Sequence, residues 1–163
     1  MVSLPASVRI CQGLAITASS FLAGTLYTMS TIAVPTILAG QTNPSLLVSH
    51  WNSMFRAGSK VGPTLVALGA VNYLYAAWGA YNSAYDTRVW KGFAAAGLST
   101  MAVAPYTVMF LASTNSALLA QATETTLSEV QVRGLVEQWA FLNLLRAGIP
   151  IVSTALGLYG ALG

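Results

Sequence analysis

Long apolar runs limit what this chain can fold into. A membrane-spanning helix needs about 20 mostly apolar residues, and four runs meet that length: 10–38, 61–81, 89–112 and 139–162. None alternates apolar and polar residues as barrel strands do. In hydrocarbon every backbone amide must be satisfied within the chain, so the runs are expected to be helices. Composition agrees, because 7% of the 163 residues are charged where a soluble domain carries roughly 25%. The expected fold is all-α: an integral membrane four-helix bundle that takes up 1–163 as one transmembrane domain. The first run follows Arg9 but is too long for a cleaved signal segment, and is read as a retained span.

The net charge of +3 comes from five Arg and two Lys against one Asp and three Glu. These basic residues are scattered and leave no nucleic-acid footprint, so the expected surface partner is the lipid bilayer. With one Cys (Cys11), one His (His50) and few carboxylates, no metal site is expected within the chain. The turn "YNSAYDTRVW" is flanked by Trp78, Tyr81, Tyr85 and Trp90, which suit an aromatic belt at a membrane–water interface. The stretch "ATETTLSEVQVRGLVE" holds three of the four acidic residues. It reads as a solvated connection into which the third helix has room to continue past Ala112.

Helical spacing selects the faces expected to look inward. On the fourth run these are Trp139, Asn143, Arg146, Pro150, Ser153, Gly157 and Gly160. On the first they are Gly13, Thr17, Ser20, Gly24, Tyr27, Thr31 and Pro35. The third offers Thr100, Thr107 and Thr114, and the second Gly62, Gly69 and Ala76 with Asn72 nearby. Small residues at this spacing let helices approach, and polar ones bond across the interface, so packing accounts for most of these positions. Arg146 differs, since a charge inside a span costs at least about 2.5–3.5 kcal/mol. Either it snorkels towards the Trp139 end, or it is an inward cation with a function.

The segment "NPSLLVSHWNSMFRAG" reads as a short amphipathic helix between the first and second spans. Asn43 suits its N-cap, Pro44 its first turn and Gly58 its end. Leu47, Val48, Trp51, Met54 and Phe55 fall on one arc, while Ser49, Asn52, Arg56 and Lys60 fall on the opposite one. His50 lies at the boundary, either incidental to a connector helix or poised at the mouth of the bundle.

Three blocks, "HWNSMFRAGSKVGP", "APYTVMFLASTN" and "WAFLNLLRAGIP", occur in this order along the chain. In them the sequence resembles the fungal anthrone oxygenase family, small four-span membrane proteins of aromatic polyketide pathways, over nearly its whole length. Family members often have Pro where this chain has Ser113. The resemblance implies a cofactor-independent monooxygenase that converts an anthrone to an anthraquinone with dioxygen, without flavin, haem or metal. It also implies endoplasmic reticulum residence. A base works best with a pKa near the operating pH, which points to His50. Arg146 with Asn143, or Arg56, is placed to hold a developing oxyanion. Asn115 is a candidate for orienting a substrate oxygen, and Trp51, Trp139 and Tyr106 for stacking on a flat aromatic substrate.

Two alternatives come from other classes. A non-catalytic four-span scaffold would use Arg146 and Asn143 to bond helices or a partner chain. A carrier would line a path with the fourth-span stripe and, having few helices, would need to form a homo-oligomer. A sister reaction on a related phenolic polyketide is a third.

Overall fold

A computed structural model of the chain describes residues 4–83, 86–124 and 126–162. Among them there are helices and short connections, and no strand. Helix α1 (Ala6–Thr28) passes through a π-helical turn (Met29–Ala33) into α2 (Val34–Gly40). Helix α3 spans Pro44–Asn82. Helix α4 (Thr87–Met101), α5 (Val103–Tyr106), a second π-helical turn (Thr107–Leu111) and α6 (Ala112–Thr123) follow in close succession, and α7 is Glu129–Leu162. The chain thus makes four helical rods, and the expected all-α, four-helix fold is borne out. Three of them, Ala6–Gly40, Thr87–Thr123 and Glu129–Leu162, are long and apolar enough to cross a membrane. The third does continue past Ala112, as far as Thr123. The 61–81 run lies in α3, which is not among these three.

Local chemistry sets several helix ends. The Asn43 Oδ1 accepts from the Ser45 N–H at 2.9 Å, and Pro44 opens α3, as expected of a cap followed by proline. Asp86 caps α4 by accepting from the Arg88 N–H at 2.9 Å. The end of α2 is tied down from α7, where Arg133 donates through Nη2 to the carbonyls of Leu38 and Gln41 and through Nε to Glu129. Those carbonyls have no partner in their own helix, and a cation suits them.

The amphipathic segment is not a separate helix. Helix α3 continues through Gly58 and Pro63 to Asn82. Gly58 does not act as a stop: a Cβ there would lie 2.5 Å from the Met29 Cε, so the missing side chain makes room for a methionine. The two faces of the segment are as expected, with Leu47, Val48 and Trp51 buried and Ser49, Arg56 and Lys60 exposed, while His50, read as a boundary residue, is exposed with the polar face.

Packing divides the described residues into two units. The first lies within Met1–Ala23, Gly62–Ala104 and Gly148–Gly163, the second within Gly24–Val61 and Pro105–Ala147. Each takes a stretch from every rod. Every segment that follows a division begins at Gly or Pro, residues that weaken a helix through backbone freedom or a missing N–H.

The first unit is built on small residues. Its core joins Val8, Ala15, Ala76, Ala77, Ala80, Val89 and Ala96 around Tyr73 and Phe93. Gly92 on α4 meets Gly160 on α7 so closely that a Cβ on Gly92 would lie 3.1 Å from the Gly160 Cα. The ring of Tyr73 rests on Gly157, and its hydroxyl lies 2.9 Å from Ser19 Oγ, which is 2.9 Å from Thr154 Oγ1. The aromatics near the α3–α4 turn gather here: Trp78 and Tyr81 are exposed, and Tyr81 meets Trp90 edge-on at 5.6 Å. Tyr85 lies outside the described residues.

The first rod corrects the expected inward stripe. Gly13, Thr17, Ser20, Gly24, Tyr27 and Pro35 are exposed and Thr31 half-buried, while Val8, Ala15, Ser19, Leu22, Leu26, Ser30 and Val34 are buried. The hydroxyls of the expected stripe need no neighbouring helix, because they bond back along their own: Ser20 to the Ile16 carbonyl at 2.8 Å and Thr31 to that of Tyr27 at 2.9 Å. Asn72 behaves likewise, donating to the Leu68 carbonyl at 2.8 Å.

Glycine contacts yield a test of this packing. Gly157→Ala puts a methyl against the Tyr73 ring, and overpacking of this kind costs about 1–3 kcal/mol. Gly134→Ala, with open space around it, is expected to gain about 0.5–1 kcal/mol from helix propensity. Thermal unfolding of the purified protein in detergent checks both signs.

Candidate active site

The second unit holds every residue singled out from the sequence for chemistry. Its core packs Val34, Leu47, Val48, Trp51, Leu111, Leu118, Val132, Val136 and Trp139. On α7, Trp139, Asn143 and Arg146 lie at four- and three-residue steps, which stack side chains on one helix face.

Arg146 does not reach for solvent. Its Nη1 donates to Thr107 Oγ1 at 3.0 Å, and its Nη2 to Asn143 Oδ1 at 2.5 Å. Asn143 is fully buried and uses its whole amide: both N–H groups donate, one to Ser30 Oγ at 2.8 Å and one to the Leu26 carbonyl at 2.9 Å. The cation is thus held by a buried amide that is itself anchored to the first rod.

Both π-helical turns serve this cluster. Ser30 lies in one and Thr107 in the other. In the first, the Val34 N–H bonds to the Met29 carbonyl, five residues back, and Asn143 donates to the Leu26 carbonyl just before this turn. Proline explains why the ladders break here. Pro35 lacks an N–H, and its ring crowds the carbonyl of Thr31 within the turn; Pro105 has the same relation to Met101, where α4 ends. Widened turns of this type occur frequently at functional sites.

Aromatic side chains continue from the cluster. Tyr106, adjacent to Thr107, donates its hydroxyl to the Leu142 carbonyl at 3.2 Å, and its ring lies 4.7 Å from that of Phe110. Trp139 donates its indole N–H to Asn115 Oδ1 at 2.8 Å. Trp51 meets Trp139 edge-on at 5.8 Å and stacks on Phe55 at 4.9 Å.

Six of the eight candidate residues therefore fall in two linked groups: Arg146 with Asn143, beside which Tyr106 bonds to the Leu142 carbonyl, and Trp139 with Asn115 and Trp51. His50 and Arg56 are not. Both are exposed on α3, where Arg56 Nε donates to Asn52 Oδ1 at 3.3 Å. Among the described residues no group of three or more His, Cys, Asp or Glu side chains is placed to hold a metal ion. Ser30 was not legible in the sequence, because the first-rod stripe chosen by spacing ran through Thr31 instead. Thr107 was legible as one of three threonines seven apart, but not its bond to Arg146.

Comparison with known proteins places the chain in a family. Residues 51–156 match the anthrone oxygenase family. The chain is 29% identical to the noranthrone monooxygenase of Aspergillus flavus, over 91% of this chain and 72% of the relative. It is 30% identical to anthrone oxygenase AgnL2 of Paecilomyces divaricatus, over 94% and 96% of the two chains. A third relative, the anthrone oxygenase of Claviceps purpurea, is 31% identical over 90% of this chain and 85% of its own. No solved structure matches. The chain belongs to the anthrone oxygenase family, and so to a family of enzymes.

The cluster's bonds predict its weak point. Asn143→Leu strips Arg146 of one acceptor and leaves the Ser30 hydroxyl and Leu26 carbonyl without their partner. Unpaired buried groups cost about 1–3 kcal/mol each, so the transition midpoint in denaturant should fall clearly. Thr107→Val, which removes one acceptor, should have a smaller effect.

Proposed function

We propose that this chain is an integral membrane oxygenase, resident in the endoplasmic reticulum, that converts an anthrone-type aromatic polyketide to an anthraquinone with dioxygen and without a cofactor. The observation that carries this reading is the half-buried Arg146 guanidinium, held by Asn143 and Thr107 on the helix face that also carries Trp139. Family membership supplies the substrate class. The bilayer suits a flat apolar substrate, and large apolar side chains such as Phe21, Val71 and Leu98 in the first unit and Val108, Met109 and Phe141 in the second face outward.

The chemistry asks little of the protein. An anthrone carries an acidic methylene opposite its carbonyl. Loss of one proton gives an electron-rich anthranolate whose charge lies largely on the carbonyl oxygen. That anion passes an electron to dioxygen, and the resulting pair forms a carbon–oxygen bond at the former methylene. Protonation gives a hydroperoxide. Loss of the second methylene hydrogen then breaks the O–O bond, leaving a new carbonyl and water. The substrate provides all four electrons that dioxygen accepts, and one oxygen atom ends in the quinone.

Within this scheme Arg146, supported by Asn143, stabilises the oxyanion as it forms. Trp51, Trp139 and Tyr106 bind the rings, and Asn115 orients an oxygen through its amide. His50 is the proposed base, as the chain's one imidazole, and its exposure leaves the ring open to an incoming substrate. Arg56, six residues further along α3, supports the anion as it approaches.

Anthrone-dependent oxygen uptake by membranes containing the protein, with a chelator present, tests the proposal. Uptake should survive chelation, and one atom of labelled dioxygen should enter the quinone. His50→Ala should lower the rate by about 10²–10⁴-fold, the usual contribution of a positioned base. Arg146→Lys keeps the charge but not the paired donors, and should lose about 10²-fold. Uptake no greater than that of control membranes, with the protein folded, would overturn the assignment. A rate unchanged in His50→Ala would remove the base role alone.

A further inference from the structure

We propose that Trp51 donates a hydrogen bond through its indole N–H to an oxygen on the bound ring system, a role separate from stacking. The inference rests on the reading of the second unit as the site for an aromatic ligand. Trp51 is fully buried, yet its Nε1 has no hydrogen-bond partner. Its neighbour Trp139 is equally buried but donates to Asn115. A buried donor without a partner is a net cost to the fold, and a phenylalanine would fill much of the same space without one.

A trapped water does not resolve the matter. Buried waters need two to four polar partners, and the cluster around Trp51 is made of Val34, Leu47, Val48, Leu111 and Val136. The acceptor of the neighbouring indole, Asn115 Oδ1, already receives the Trp139 N–H. A planar polycycle with an exocyclic carbonyl or phenolate oxygen offers both things the position lacks: an acceptor, and a flat face for the neighbouring rings. Met29 and Met54 border the cluster, and flexible thioethers adapt readily to an entering ring. Such a donor discriminates ligands by their oxygen, whereas stacking alone recognises any flat ring.

The test uses the full chain in lipid nanodiscs and two probes of the same three-ring shape: anthraquinone, which bears carbonyl oxygens, and anthracene, which bears none. Empty nanodiscs correct for partitioning. The wild type should prefer anthraquinone, and Trp51→Phe should reduce that preference by about 2- to 12-fold, the range for one neutral hydrogen bond, without lowering thermal stability. Replacing Trp51 by benzothienylalanine, whose sulfur takes the place of the N–H, gives the same readout with the bicyclic shape kept. An unchanged preference in both variants overturns the proposal. So does a loss of stability without a loss of preference, since the N–H would then serve the fold by facing the Trp139 ring. Oxygen uptake in the same preparations separates the two readings. Trp51-dependent preference without turnover sinks the oxygenase assignment only, and turnover with unchanged preference sinks the Trp51 role only.

Discussion

The second unit is organised around one positive charge. A guanidinium in an apolar helix needs partners for its donors, and Arg146 places Nη1 on Thr107 and Nη2 on Asn143, while its buried Nε has none. Asn143 can serve only if its own amide is anchored, which commits Ser30 and the Leu26 carbonyl. Ser30 itself lies in the π-helical turn of the first rod. Proline near each turn supplies the break. Prolines, turns, hydroxyls, amide and cation therefore form one dependent set. Each member depends on another for a partner, so the set is expected to persist or fail as a whole.

The first unit solves a different problem. It has no inward charge to hold, and its contacts come from the absence of side chains. Gly92 against Gly160 and Gly157 beneath Tyr73 bring helices together until backbone meets backbone and ring. Where lipid tails are as apolar as the core, such close packing with a few hydroxyl bonds supplies the association that hydrophobic burial supplies in water. The chain's small-residue stripes thus have one use in this unit, and its polar stripe residues another in the second.

What the sequence revealed follows the same division. The fourth rod was legible throughout: Trp139, Asn143, Pro150, Ser153, Gly157 and Gly160 are buried, with Arg146 on their line. A strongly polar residue in an apolar helix has few places to go, so periodicity locates it. The first rod misled because serine and threonine carry little facing information in a helix, since a bond to their own i−4 carbonyl satisfies them on either side. Gly58 misled for a related reason, as a glycine that ends a helix and one that admits a neighbour's side chain look alike in one dimension. The π-helical turns had no signature beyond nearby prolines, and with them went Ser30. The Trp51–Trp139 contact joins residues far apart in the chain, which no local pattern reports.

The exposed position of His50 bears on how such a site can work. Proton removal and charge stabilisation need not share one pocket wall when the anion is delocalised over three rings. The proton leaves from one edge of the anthrone, while the charge collects at the carbonyl on the opposite edge. Under the proposed mechanism, a base on the exposed face of α3 and a cation on α7 would address opposite edges of one flat molecule. Placing the base next to the buried Arg146 would set two groups that both favour positive charge against each other, and would weaken the imidazole as a proton acceptor. In that scheme one histidine would suffice, because the substrate itself carries the electrons, the acidity and the delocalisation.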